Sequence, residues 1–278
     1  MIGLVTDSAS QIPPSLASRL GVQVVPITVT IDGIESREGV DLSADEFWAQ
    51  ITDSRVPEVS TSQPSPGAFG RCYRDLVEAG VDEIVSVHVG AEVSGTVNAA
   101  SVAADLVEVP VHVVDSGTAS FGVTVCVWRA AEVLAAGGSG AAAAAAASTM
   151  APSIGTSFVL QGLDFARSGG RFDATLPEGA DDVIVLSGHG TGLDVSGAGR
   201  YPDTVCDLIV APFLAAGGPV RAAVGLADDA TLPLVLGIEE RLRASESVVE
   251  LLRYRVGPSI AAHTGPGTAG GFWWPAEP

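Results

Sequence analysis

The chain contains no lysine. All 14 of its basic residues are arginines, set against 33 acidic residues for a formal net charge of −19. The missing lysine removes Schiff-base chemistry and the phosphate-cradling lysine of a P-loop. A field of that sign repels nucleic acid and anionic membrane surfaces, so neither is an expected partner. A compositional bias toward Arg and Ala accounts for the lysine loss. Charged residues make up 17% and aromatics 5% of the chain, against about 25% charged in an ordinary soluble domain. Small polar residues must therefore cover much of the surface, and Ala, Val, Leu and Ile must fill most of the interior.

Cysteine is also scarce. Cys72, Cys126 and Cys206 lie far apart with no CxxC spacing, which excludes a disulfide framework and a thiolate metal site. No basic segment precedes the short apolar run at Ile2–Thr6, so no secretory leader is expected. The Ala141–Ala147 run falls well short of the ~20 apolar residues that a membrane span needs. The expected location is the cytoplasm, without stable membrane insertion. No GxSxG elbow occurs. The one GxGxxG, Gly265–Gly270, has too few residues after it for a βαβ unit, so a dinucleotide site is not expected.

What the chain does have is alternation. Ile2–Thr6, Val22–Val29, Glu83–His88 and Val111–Val114 read as strands. Ser15–Leu20, the stretch from Ser43 or Asp45 to Ile51, Pro66–Ala79, Gly95–Leu106 and Val123–Ala136 read as helices. Strands alternating with helices of this length imply a parallel sheet covered on both faces. Such sheets carry ligands in the loops at the carboxyl ends of their strands. Those loops are Asp7-Ser8, His88 to Thr96 and Asp115-Ser116-Gly117. In the second half, Phe158–Leu160, Val183–Ser187, Val220–Leu226 and Val248–Val256 read as strands and Leu232–Ala244 as a helix. Ser187–Gly199 and the C-terminal segment are rich in glycine. The fold class is α/β in two domains, 1–152 and 153–278, the first with a parallel sheet and helices on both faces, the second with a mixed sheet.

Four polar motifs fall at loop positions: Thr6-Asp7-Ser8, Thr61-Ser62-Gln63-Pro64-Ser65, Ser94-Gly95-Thr96 and His263-Thr264-Gly265-Pro266-Gly267. Hydroxyls beside a helix N-terminus suit an anion, and they equally suit ordinary N-capping. His263, placed at a strand end before a Gly-rich loop, is read as functional. His88, His112 and His189 are read as structural, and Asp7 and Asp115 as caps that order turns.

These motifs, with Val114-Asp115-Ser116, Gly169-Gly170-Arg171 and Gly257-Pro258-Ser259-Ile260, stand in the order found in the DegV family, which the chain resembles over nearly its full length. The resemblance implies two α/β domains enclosing one long-chain fatty acid in a buried tunnel between them. It implies a carrier with no catalytic residue, no metal and no cofactor, the fatty acid being its ligand. The partner would be a separate kinase subunit, similar to dihydroxyacetone kinases, that phosphorylates the bound carboxylate in a bacterial fatty acid kinase system. The family's carboxylate contacts fall on Thr61, Ser94 and His263, within the ligand-binding set Thr61, Ser62, Ser94, Gly95, Thr96, His263, Thr264 and Gly265. Arg171 falls at the head-group rim facing the kinase. Gly90 stands where the family usually has a serine, and the acidic, Gly-rich Glu178–Gly199 replaces a basic segment. Two other readings use the same residues: a carrier of another amphiphilic carboxylic acid, and a Ser/His acyl hydrolase pairing Ser94 or Thr61 with His263 and an orienting Asp7 or Asp115.

Overall fold

The computed structural model describes residues 1–51, 57–160, 183–190, 192–199 and 202–276. It divides into two compact units. One comprises Met1–Leu42 and Glu58–Ala151, the other Ser43–Pro57 and Pro152–Pro278. The chain thus leaves the first unit after Leu42 and returns to it at Glu58.

The first unit is built on a four-stranded parallel sheet, in the order β2 (Val22–Val25), β1 (Ile2–Asp7), β6 (Glu83–His88), β7 (Val111–Asp115). β1 and β6, in its middle, are buried almost throughout because both faces are covered. On one face α3 (Pro66–Glu78) and α4 (Thr96–Ala104) place Phe69, Tyr73, Ala99, Ala100 and Ala103 against Val5 and Ile84. On the other, α5 (Phe121–Ala135) and α6 (Gly140–Ser148) pack against β1, β6 and β7. The Ala-rich run is thus a surface-layer helix, capped by the Ser139 hydroxyl, which accepts from Ala142 N. A short α1 (Pro14–Leu20) follows β1, with proline at its first turn and Gly21 closing it at φ 67°.

Val22–Val29 is two strands rather than one. Pro26 cannot donate to a ladder, and the chain passes into β3 (Thr28–Ile31) of a second sheet, antiparallel and ordered β4 (Ile34–Arg37), β3, β5 (Val59–Ser62). Asp32 and Gly33 turn between β3 and β4 with φ of 49° and 84°, the double positive φ of a two-residue hairpin. Asp32 Oδ1 also accepts from Glu58 N at 2.9 Å, which ties β5 back to that turn.

The second unit holds a six-stranded mixed sheet in the order β10 (Gly192–Gly199), β9 (Val183–His189), β8 (Gly155–Leu160), β13 (Ala269–Pro275), β11 (Val220–Leu226), β12 (Val248–Arg255). Among the described strands only β11 and β12 run parallel, and the connection between them holds α8 (Leu232–Arg243). One face is covered by α7 (Asp203–Leu214) and α8, whose Val205, Ile209, Phe213, Leu234 and Ile238 meet Val159, Val185, Val224 and Trp273. Phe213 and Trp273 lie with ring centroids 4.5 Å apart. The strand β13, in the middle of this sheet, is the segment whose glycines disguised it in the sequence. The segment 43–57 joins this unit through α2 (Ala44–Trp48), whose buried Trp48 donates Nε1–H to Val256 O at 2.9 Å.

A buried carboxylate with two partly exposed arginines braces α8 to the edge strand. Glu239 is 1% exposed and takes Arg253 Nε at 2.6 Å and Nη2 at 2.7 Å, and Arg243 Nη2 at 2.9 Å. The Arg253 guanidinium holds the Glu239 carboxyl below its ordinary range. A folded pKa below the unfolded one gives stability that is full above the unfolded value and lost as pH falls through the folded one. Glu239→Gln is therefore expected to cost the protein about 2 kcal/mol at neutral pH. Urea melts at stepped pH values should find that the variant loses less further stability than the parent below about pH 5.

Candidate functional site

In the first unit, the loops after β5 and β6 come together. Thr61 lies on β5 opposite Val29, and Ser62 is its last residue, opposite Thr28. Ser65 then caps α3, accepting from Ala68 N at 3.2 Å. Ser94 does not cap α4; Gly95 holds that position, and the Ser94 hydroxyl lies 2.8 Å from Thr96 Oγ1 and accepts from Thr96 N at 3.3 Å. Thr96 is fully buried, Ser94 half-buried and Ser62 exposed. Gln63 lies close against Gly95, where a Cβ would run into its side-chain amide. This contact makes Gln63 of the first motif and Gly95 of the second interdependent. Nothing in either motif alone signals that pairing.

The β6–α4 loop is pinned along its length. Gly90 donates its N–H to Thr118 O at 2.8 Å, and Ala91 N donates to Asp115 Oδ1 at 3.1 Å. Asp115 Oδ1 also accepts from Gly117 N at 2.9 Å. A Cβ at Gly90 would sit 3.2 Å from both Thr118 N and Thr118 O. The two loops approach closely at Gly90, where a side chain would have to displace backbone. Asp7 Oδ1 accepts from Ala9 N at 3.0 Å, and Oδ2 from Val89 N at 3.1 Å and His88 Nδ1 at 3.0 Å. Asp7 and Asp115 both order turns.

In the second unit, His263 is not at a strand end. It occupies the last turn of a short helix, α9 (Pro258–Thr264), between β12 and β13. Proline at the helix start and the Ser-Ile-Ala-Ala run favour that turn, and Gly265 ends it at φ 75°, its N–H bonded to Ala261 O at 2.8 Å. The following loop is braced on Asp228, whose Oδ2 accepts from Gly267 N at 2.9 Å and whose Oδ1 accepts from Thr231 N at 2.9 Å. Thr268 donates its hydroxyl proton to Thr264 O or Gly265 O, at 3.2 and 3.0 Å. His263 is half-buried, and Thr264 and Gly265 are buried. Thr61, Ser62, Ser94, Gly95 and Thr96 thus belong to the first unit and His263, Thr264 and Gly265 to the second. Arg171 and the Glu178–Asp182 start of the acidic stretch lie outside the described residues.

The thiols are poor candidates for chemistry. Burial pushes Cys72 up to about 11 and Cys126 up to about 12, far from the range in which a thiolate attacks at neutral pH. Among the described residues no group of three His, Cys, Asp or Glu side chains is placed to hold a metal ion, and no helix is long and apolar enough to cross a membrane.

These features define an α/β protein of two units, with hydroxyl-bearing loops at the carboxyl ends of the strands of the first and a histidine-bearing turn in the second. The family model described as an uncharacterised protein of the DegV family matches residues 1–176. A DegV domain-containing protein of Streptomyces coelicolor is 34% identical over 276 residues, covering 97% of this chain and 96% of the relative. One of Deinococcus radiodurans is 31% identical over 281 residues, with 97% and 96% covered. The chain belongs to the DegV family. Among solved structures it is similar to a fatty-acid-binding DegV family protein from Thermus thermophilus, at 33% identity and a TM-score of 0.88, with 99% of each chain covered. DegV of Bacillus subtilis, a fatty acid binding protein, shares the fold at 23% identity and a TM-score of 0.85, with 98% of each chain covered.

Proposed function

We propose that this chain is a cytoplasmic carrier that binds one long-chain fatty acid and presents its carboxylate to a separate kinase for acyl-phosphate formation. The observation that carries the binding step is the likeness to the Thermus thermophilus fatty-acid-binding protein, at one third identity over essentially the whole chain. Thr61 and Ser94, together with His263, supply the carboxylate donors in this reading. Hydroxyl donors are neutral, and the net charge of −19 opposes an anion, so the tail must supply the affinity. A tail of about 16 carbons gains roughly 12 kcal/mol gross at about 0.8 kcal/mol per buried CH₂, and association takes back about 4–15 kcal/mol. Tight binding thus calls for a dry enclosure along most of the chain. Arg171 engages the kinase in this reading.

Native mass spectrometry of the purified protein, followed by release and identification of the lipid, tests the binding step. One fatty acid per chain is expected. A protein that is empty and takes up no added fatty acid refutes it, and release of another amphiphilic acid replaces the ligand. Ser94→Ala is expected to weaken fatty-acid binding about fivefold, the loss of one hydrogen bond, as read by displacement of a fluorescent fatty acid. Arg171→Ala should lower acyl-phosphate formation with a partner kinase and leave fatty-acid affinity unchanged. Turnover of an activated acyl ester, abolished by His263→Ala, would instead make the protein a hydrolase.

A further inference from the structure

Between β1, β6 and α3 the first unit buries a row of four polar side chains, Tyr73, Ser86, His88 and Asp7, each 0% exposed. Tyr73 Oη lies 2.9 Å from Ser86 Oγ, Ser86 Oγ lies 2.7 Å from His88 Nε2, and His88 Nδ1 lies 3.0 Å from Asp7 Oδ2. Apolar groups surround the row, and the His88 and Phe69 rings meet edge to face with centroids 4.8 Å apart. The Asp–His–Ser order matches that of a hydrolytic triad. Ser86, however, is sealed in the core and already engaged by Tyr73, so no substrate reaches its hydroxyl.

The direction of the bonds can be read from their ends. A carboxylate only accepts, so Nδ1–H donates to Asp7. Were Nε2 protonated too, it would donate to Ser86 and Ser86 to Tyr73, leaving the Tyr73 proton without an acceptor among the described residues. Running from Tyr73 to Ser86 to Nε2, every proton is placed. Burial also pushes the Tyr73 hydroxyl up to about 12, which keeps that proton on the ring oxygen.

Apolar side chains would fill this space at less desolvation cost, so what the row achieves lies at its end. Asp7 Oδ2, fixed by His88, also takes Val89 N at 3.1 Å. The next residue, Gly90, is bonded to Thr118 O, and its own carbonyl accepts from both Val93 N and Ser94 N at 3.1 Å. The segment from Val89 to Ser94 therefore hangs on the aspartate that the row immobilises. We propose that the Tyr73–Ser86–His88–Asp7 row is a positioning device for the Ser94 and Thr96 hydroxyls, through which His88 sets a preference for a carboxylate head group without touching the ligand. This assignment rests on the fatty-acid reading above.

The test compares palmitic acid with hexadecanol, which share a tail and differ in the head group, by displacement of a fluorescent fatty acid. His88→Leu is expected to weaken the acid about tenfold while the alcohol changes less than about twofold. His88→Asn, whose amide nitrogen can stand where Nδ1 stood, is expected to recover most of the acid-to-alcohol ratio. Ser86→Ala, which cuts the row one bond further from Asp7, should fall between them and keeps the test open if the leucine variant does not fold. Equal losses for acid and alcohol, or an asparagine variant as impaired as leucine, would overturn the positioning role and leave the row as core structure. A parent protein that binds neither probe would instead refute the fatty-acid reading, and the inference with it.

Discussion

Alanine in place of Gly270 is expected to cost the second unit at least about 3 kcal/mol, enough to leave much of the protein unfolded at moderate urea. Two effects add. Gly270 sits at φ 149°, a region that side-chain-bearing residues rarely adopt, and a Cβ there would run into Ser157 O and Phe158 of β8. Its neighbour Gly271 lies as close on the other side, where a Cβ would meet Ala223 O of β11. Both contacts are with backbone of paired strands, which cannot swing aside as a flexible side chain can. Gly218→Ala is the matched control. It has no atom within 4 Å of the added methyl and no positive φ, and should change stability by less than about 0.5 kcal/mol. Urea denaturation followed by tryptophan fluorescence reads both, since Trp273 and Trp274 lie on the strand concerned. A Gly270→Ala midpoint equal to that of the control would show that β13 is not held this tightly.

Trp48→Ala is the second large change, expected to cost about 3–4 kcal/mol. Trp48 is 6% exposed and Phe47 0%, with the two rings edge to face at 5.1 Å. The indole N–H is bonded to Val256 O, at the end of β12. Around it, Ser43 and Glu46 form a reciprocal capping box, and Arg255 Nη2 reaches Asp45 Oδ1 at 2.6 Å. The two exposed polar contacts add little, so the indole is what holds this segment to the second unit. Hydrogen exchange should show the amides of Phe47 and Ala49 losing protection in the alanine variant. Trp48→Phe, keeping a ring but losing the bond, should cost about 1 kcal/mol. Unchanged exchange in the alanine variant would mean that the cap alone suffices.

The class of fold was legible because the first unit's strands are short, mainly apolar runs alternating with helical periods, the pattern that a parallel sheet covered on both faces produces. Elements whose reason is tertiary were not. Val22–Val29 reads as one strand by propensity, and only Pro26 hints at the passage from one sheet to another. The hairpin between β3 and β4 did carry a readable signal, Asp32-Gly33, directly after the β-branched run Thr28–Ile31. β10 and β13 are glycine-rich because neighbouring side chains and backbones crowd them: Leu208 lies over Gly197 and Gly199. That composition reads as loop until the crowding is seen. In the candidate site, motifs single out Thr61, Ser94 and His263 as proposed ligand contacts, while His88 reads as structural because its partners Asp7 and Ser86 come together only through strand register.

The position of β13 also constrains how the second unit is made. β8 and β9 pair with each other, as do β9 with β10 and β11 with β12, and among the described residues these two groups meet only through Ala269–Pro275. A ribosome releases the chain in sequence order, so β8 and β11 wait with open edges until the strand that pairs with both emerges. Open edges recruit other strands. The interval before β13 arrives is thus the moment at which nascent chains would be most prone to join one another, and a ribosome stalled there would release a unit split along its middle.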